Sequence, residues 1–501
     1  MLDEYLIYEM MIIGIQVVFA LFVCIARKFI PGKYHPGVIL LANIIYLFMS
    51  NWSRALLPLF LMITITWMGA RVLFEMKGND RMRKNVFIVV VVMVLGSLIC
   101  LNYSPFLLKN YNLIQKLTGR SIIHYEDSDL YIKVTMMSVG MGFYTLRALG
   151  YVIDVYRGGR AEKNIITYAA FISFFPLIAN SPIERPQNLM NQIDGEGRSC
   201  SLKSIAKGVI LILWATFVGK VLLIRLNSQV LPIFRDYQEY VGTPLVVAAV
   251  LNPLAMYVTW LYYSLHALGL GKIMGFQLTE DFRGPFFSRN MREFWKRYYL
   301  SVTTWFGKYL YIPLKGNSRT PERKMFSLFI TALVGGLWLS GWWNGVIGGG
   351  LACLFLVFEM WIDRRRKLRG KETRDSVSHR ILQRLTTFVL ISIVCLFFSS
   401  ALQDGNVVEY LLRMFMKETP SDYLQDSVWF FYILYLIFFL VSFGPWVILF
   451  FIVDYLKYRT GLSIDEFLAK QHWSIGVIVS ILLMLIIWIW GGPDLSWMIW
   501  Y

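Results

Sequence analysis

Charge is scarce in this chain of 501 residues: Asp, Glu, Lys and Arg together make up 16%, where soluble domains carry about 25%. Hydrophobic residues reach 57% and the mean hydropathy is +0.54. No water-facing globule of this size hides so much apolar surface, and the same long apolar runs exclude disorder. Acidic residues are scarcest, 32 against 49 basic ones. Only five cysteines occur; Cys24, Cys100, Cys353 and Cys395 lie inside apolar runs, and Cys200 stands alone in a basic loop. No pair has disulfide or zinc spacing, which argues against a disulfide scaffold and against a metal site. The N-terminus lacks the basic head and small-residue cleavage site of a signal peptide, so it reads as a retained first span. No internal repeat is visible, which counts against a secondary transporter.

What is present is a series of apolar runs. A membrane span takes ~20 such residues, and candidate spans cover 6–26, 37–53, 56–76, 85–102, 130–156, 205–225, 244–265, 325–341, 343–361, 385–402, 428–452 and 473–490. Basic loops at 27–36, 77–84, 157–163, 198–207, 283–324, 362–384 and 454–471 fall on one side of this threading, the side assigned to the cytoplasm by the positive-inside rule. The acidic N-terminus and residues 403–427 fall on the other, which places both termini outside the cytoplasm. Anionic lipid of the inner leaflet accounts for the net charge of +17, and nucleic acid is not an expected partner.

Two segments do not fit as simple spans. Residues 164–183 are apolar enough to enter the membrane, but a crossing breaks the charge parity. Residues 290–314 are aromatic yet carry Arg292, Lys296, Arg297 and Lys308, with Trp295, Tyr299, Val302 and Phe306 on one helical face. Both read as interfacial or re-entrant, a conformation tolerated only where protein or a water-filled cavity covers it. The expected fold is an all-α polytopic membrane protein, with about twelve transmembrane helices and two re-entrant segments around a tunnel. It forms one integral-membrane domain over 1–501, with N-terminal helices over 1–103 and C-terminal helices over 385–501.

Polar groups inside spans are costly, so each marks a candidate site. Tyr144, Arg147, Tyr151 and Asp154 recur on one helical face, with Arg147 and Asp154 about 10.5 Å apart along the axis, too far for a direct pair. The stripe is either an interhelical network or the lining of a polar pathway. Over 325–350, Gly335, Gly336, Gly341, Gly345 and Gly349 allow close helix approach. Between them, Trp338, Trp342, Trp343 and Asn344 suit the wall of a narrow tunnel. His266, at the end of a span, has a side chain suited to proton transfer, although a lone histidine there is more often structural.

Residues 291–350 closely resemble the membrane-bound O-acyltransferase family, and within it the bacterial branch of alginate O-acetyltransferases and teichoic-acid D-alanyl transfer proteins. The resemblance rests on Arg292-Glu293-Phe294-Trp295-Lys296-Arg297-Tyr298-Tyr299-Leu300-Ser301, on Thr304-Trp305-Phe306, on Tyr309-Leu310-Tyr311-Ile312-Pro313-Leu314 and on Gly335-Gly336-Leu337-Trp338. Upstream, Gly142-Phe143-Tyr144-Thr145, Ile153-Asp154-Val155-Tyr156-Arg157-Gly158 and Ser173-Phe174-Phe175-Pro176 also resemble family blocks. So do Met274-Gly275-Phe276 and Glu280-Asp281-Phe282, and the family-like core covers about 141–350. The candidate tunnel residues are Tyr144, Arg147, Asp154, Arg297, Trp305, Trp338, Ser340, Trp343 and Asn344.

The resemblance implies passage of an acetyl or D-alanyl group from a cytoplasmic thioester to a hydroxyl of an extracytoplasmic polysaccharide or cell-wall polymer. Acyl-CoA or an acyl-carrier protein is the implied donor, with no bound cofactor. Membrane lipid, a donor carrier and a separate extracytoplasmic transfer partner are implied around it, in a bacterial cytoplasmic membrane. The chain departs from the family where a base is expected. The family's tunnel histidine follows Gly-Leu-Trp, where this chain has Leu339; a second ends the aromatic-basic run, where it has Tyr299. Two aspartates of a third block have become Thr259 and Leu265.

A general base contributes ~10²–10⁴-fold, and Leu339 takes no proton. Tyr299, with an ordinary pKa of ~10, is a donor and a weak base, suited to holding an oxyanion. His266, beside the altered aspartate block, is the candidate replacement base. The competing expectation is a catalytically silent homologue retained as a scaffold or partner subunit.

Overall fold

A computed structural model describes residues 2–50, 52–76, 78–119, 139–178, 182–195, 200–317, 320–368, 376–399, 402, 407–416 and 425–491. Every regular element among them is helical. Seven helices among the described residues are long and apolar enough to cross a membrane: Ser53–Glu75, Asp80–Asn102, Leu202–Arg235, Thr243–Ile273, Trp343–Arg366, Val377–Phe398 and Trp473–Trp490. Each contains or overlaps an expected span. Two further expectations lie within Leu2–Phe29 and Gln425–Thr460, and the 325–341 span coincides with Pro321–Ser340 except for Gly341. The 37–53 segment differs: its helix, His35–Met49, has 15 residues and at about 22 Å falls short of a hydrocarbon core of ~30 Å. Of the 130–156 segment, the part before 139 lies outside the described residues, and the helix is Met141–Tyr156.

The chain divides into two compact units, one of Asp3–Val209 with His266–Glu280 and one of Ile210–Leu265 with Asp281–Tyr501. In the first unit, Leu56–Glu75 packs on Asp80–Asn102 and on Met141–Tyr156, and His35–Met49 packs on Ile165–Ile172. Tyr144, Tyr151, Tyr168, Phe171 and Phe174 are wholly buried there. The Asn43 side chain donates to Ala170 O (3.2 Å) and to Ser173 Oγ (3.0 Å) and accepts from Phe175 N (3.0 Å), so one amide satisfies the end of the Ile165–Ile172 helix. Cys24 and Cys200 form a disulfide across 176 residues of chain, with Cα atoms 5.7 Å apart. That corrects the expectation of no pairing: proximity in the folded unit, not spacing along the sequence, decides which thiols meet.

In the second unit, Pro321–Ser340 turns at Gly341, which has a left-handed backbone (φ 73°), directly into the Trp343–Leu368 helix. The two helices lie so close that a Cβ at Gly336 would collide with the Gly345 carbonyl, and one at Gly349 with the Ala332 carbonyl. The glycine pattern therefore serves close packing. Val377–Phe398 covers the other side of Trp343–Leu368. Residues 290–315 form no single helix. They break into Met291–Trp295, Leu300–Phe306, a π-helical turn over Gly307–Tyr311 and Ile312–Lys315. Asn290 caps the first piece by accepting from Glu293 N at 2.8 Å.

Candidate functional site

The broken segment and the glycine-packed hairpin border a half-open chamber of about 310 Å³ within the second unit. One wall carries Trp295, Tyr298, Tyr299, Val302, Phe306 and Tyr311; the other carries Leu328, Thr331, Trp338, Leu339, Cys353 and Leu356. Trp295, Tyr299, Val302 and Phe306, the face expected of one continuous helix, thus meet in the chamber although the helix is interrupted between them.

The interruption is a corner at Tyr299, the only non-glycine residue with positive φ among those described (φ 55°). A side chain in this conformation costs ~1–3 kcal/mol and persists only where surroundings enforce it. Asp281 enforces it: this fully buried residue accepts from Ser301 N through Oδ1 (2.8 Å) and from Leu300 N through its own carbonyl (2.9 Å). The Tyr299 ring stacks on Phe282 at 5.5 Å and packs against Trp260 at 5.5 Å. Asp281 belongs to the acidic-aromatic block noted in the sequence. Its burial beside that block, invisible in the sequence, gives it this role.

The wall is apolar in practice as well as in composition. The Thr303 hydroxyl donates to Tyr299 O and Leu300 O (both 3.2 Å), and the Thr331 hydroxyl donates to Ser327 O (2.7 Å), so both are turned to their own helices. Among the described residues that line the chamber there is no imidazole, carboxylate, amine or guanidinium. The chamber can seat an apolar group beside the phenols of Tyr298, Tyr299 and Tyr311. It offers no ordinary general base.

Of the sequence candidates, Tyr299, Leu339 and Trp338 all line this chamber. The remaining tunnel candidates in this unit lie elsewhere. Arg297 pairs with Glu293 (3.0 Å) and lies over the Tyr458 ring, because its place in the short turn points it away from the chamber face. Trp305 packs on Phe306 and Tyr309. Ser340 caps the hairpin turn, accepting from Trp342 N at 3.1 Å. Trp343 is 58% exposed beyond that turn, and Asn344 donates to Leu402 O at 2.9 Å.

Tyr144, Arg147, Asp154 and His266 belong to the first unit. Arg147 is 1% exposed and donates to Ile172 O (3.0 Å), the end of the Ile165–Ile172 helix, while the buried carboxylate of Glu184 acts on its charge. The Tyr151 hydroxyl accepts from Glu162 N at 2.8 Å. Arg147 thus ties the Met141–Tyr156 helix to the end of Ile165–Ile172, and Tyr151 ties it to the chain just before that helix. His266 meets Gln16, with 2.8 Å between Nε2 and Oε1.

Residues 156–403 match the membrane-bound O-acyltransferase family. The chain is 30% identical over 339 residues to the probable alginate O-acetylase of Azotobacter vinelandii, covering 66% of this chain and 64% of that protein. Over 329 residues it is 26% identical to the peptidoglycan O-acetyltransferase of Helicobacter pylori, covering 59% of this chain and 58% of that one. It is also 24% identical over 286 residues to the teichoic acid D-alanyltransferase of Streptococcus thermophilus, covering 53% and 69%. The chain spans less than two thirds of the length of the alginate and peptidoglycan relatives. With its membrane-crossing helices and this match over residues 156–403, this multi-pass membrane protein carries a domain of the membrane-bound O-acyltransferase family.

Proposed function

We propose that the chain serves the O-acylation of an extracytoplasmic polysaccharide or cell-wall polymer in a bacterial cytoplasmic membrane. In that pathway an acetyl or D-alanyl group leaves a thioester on acyl-CoA or an acyl-carrier protein and reaches an extracytoplasmic hydroxyl, helped by a partner on the outer side. The names of the relatives support the pathway. The observation that carries the chain's own part is that Tyr299 and Leu339 line one apolar chamber, on its two walls.

Attack of a hydroxyl on a thioester requires a group that takes the hydroxyl proton. Leu339 takes none, and the Tyr299 phenol is a hydrogen-bond donor suited to a developing oxyanion. Oxyanion contacts and positioning alone leave only residual catalysis. The chain is therefore read as a catalytically silent member of the pathway without the family's base, serving as a scaffold or subunit while a partner carries out transfer. The rival reading gives proton transfer to His266, whose imidazole is held by Gln16.

Alkali-labile ester in envelope polysaccharide, compared between cells lacking the gene and complemented cells, tests the pathway. Restored ester supports it, and unchanged ester sinks it. Thioester cleavage by the purified chain then separates the two readings. A wild type without cleavage, and a gain in Leu339→His, support the reading without a base. Substantial wild-type cleavage abolished by His266→Ala overturns it.

A further inference from the structure

We propose that the chamber holds one fatty-acyl tail of a bilayer phospholipid as a resident lipid, not as a reacting group. Three features of the chamber carry this. First, its wall is hydrocarbon and aromatic apart from the Tyr298, Tyr299 and Tyr311 hydroxyls, and the Thr303 and Thr331 hydroxyls donate to backbone carbonyls. Water needs two to four polar partners, and most of this wall offers none. Second, a volume of about 310 Å³ is at the low end for ligand sites. It suits one chain and leaves no room for a nucleotide-bearing carrier. Third, Leu328, Thr331, Trp338, Leu339 and Leu356 on the wall are only half-buried, and the same two helices present exposed Phe326, Phe329, Leu354 and Phe358 outward. The chamber thus adjoins the surface of this unit that meets lipid.

Bilayer and chamber are equally apolar, so a tail gains little from the transfer itself. Occupancy is favoured by the dispersion contacts that the chamber walls would otherwise lack. With Leu339 and Tyr299 on its walls and no imidazole among the lining residues, the chamber lacks the groups that would make a hydrocarbon a poor tenant. The inference rests on the reading of this chamber as lacking a base. Its test involves no ester assay, so either result can fail while the other stands.

The full chain is reconstituted in nanodiscs doped with a phosphatidylcholine that carries a diazirine midway along one acyl chain. It is then illuminated, and the adducts are mapped by mass spectrometry. Adducts are expected on Trp295, Phe306 and Leu356 as well as on the outer residues Leu354 and Phe358. Unlabelled phospholipid should compete the inner set away, whereas decanoyl-CoA should not. Ala352→Phe, which projects a ring into the chamber, should reduce inner adducts at least about tenfold while outer adducts persist. Should Ala352→Phe fail to fold, the competition in the wild type decides the question. Adducts confined to Leu354 and Phe358 overturn the proposal, as does inner labelling displaced by decanoyl-CoA but not by phospholipid.

Discussion

The corner at Tyr299 depends on a single buried carboxylate, and Asp281→Ala is the sharpest perturbation of the chamber. In the wild type Asp281 Oδ1 accepts from Ser301 N at 2.8 Å, and Ser301 is itself buried. Truncation leaves that N–H buried without its acceptor, a cost of about 1–3 kcal/mol. The left-handed conformation of Tyr299 adds strain of a similar size, which opening of the corner relieves. A shift of about 2 kcal/mol toward the relaxed corner corresponds to roughly thirtyfold in population. Cys353 reports on it, being a free thiol on the chamber wall. In a Cys100→Ser, Cys395→Ser background, its alkylation rate should rise about thirtyfold in Asp281→Ala, because local opening limits access. Asp281→Asn keeps an oxygen acceptor for Ser301 N and should stay near the wild type. Unfolding followed by tryptophan fluorescence separates this local effect from global loss of structure. Unchanged Cys353 reactivity and unchanged stability in Asp281→Ala would refute the role assigned to this carboxylate.

Other expectations follow from the packing. Gly336→Ala should destabilise by about 1–3 kcal/mol through collision with the Gly345 carbonyl. Gly335→Ala, whose Cβ comes no nearer than 4.0 Å to Phe306, should be tolerated; equal melting temperatures for the two variants would contradict the close approach of these helices. Arg147→Met should cost about 1–3 kcal/mol, because the buried end of the Ile165–Ile172 helix loses the donor to Ile172 O. An Arg147→Met protein as stable as the wild type in thermal unfolding argues against that role. Cys24 and Cys200 should resist maleimide until a reductant is added, with mass spectrometry of labelled peptides as the readout; labelling without reductant would show free thiols.

Much of the architecture is legible along the chain because hydropathy is a sum over neighbouring residues. The runs at 56–76, 85–102, 205–225, 244–265, 343–361, 385–402 and 473–490 each become a helix able to cross a membrane. The glycine stripe likewise announces close packing, since absence of a side chain is a local property that any partner helix can use. Tertiary structure decided what local pattern does not encode. Trp295, Tyr299, Val302 and Phe306 share the chamber through a left-handed corner and a π-helical turn, and the corner is held by Asp281 some twenty residues upstream. Cys24 and Cys200 meet across 176 residues. Arg297 and Trp343, read as tunnel walls, turn away because the backbone bends where helical periodicity assumes it runs straight. Composition and periodicity determine which segments are helical and apolar. Which side chains face one another depends on backbone corners and long-range hydrogen bonds, which form only once distant segments have packed together.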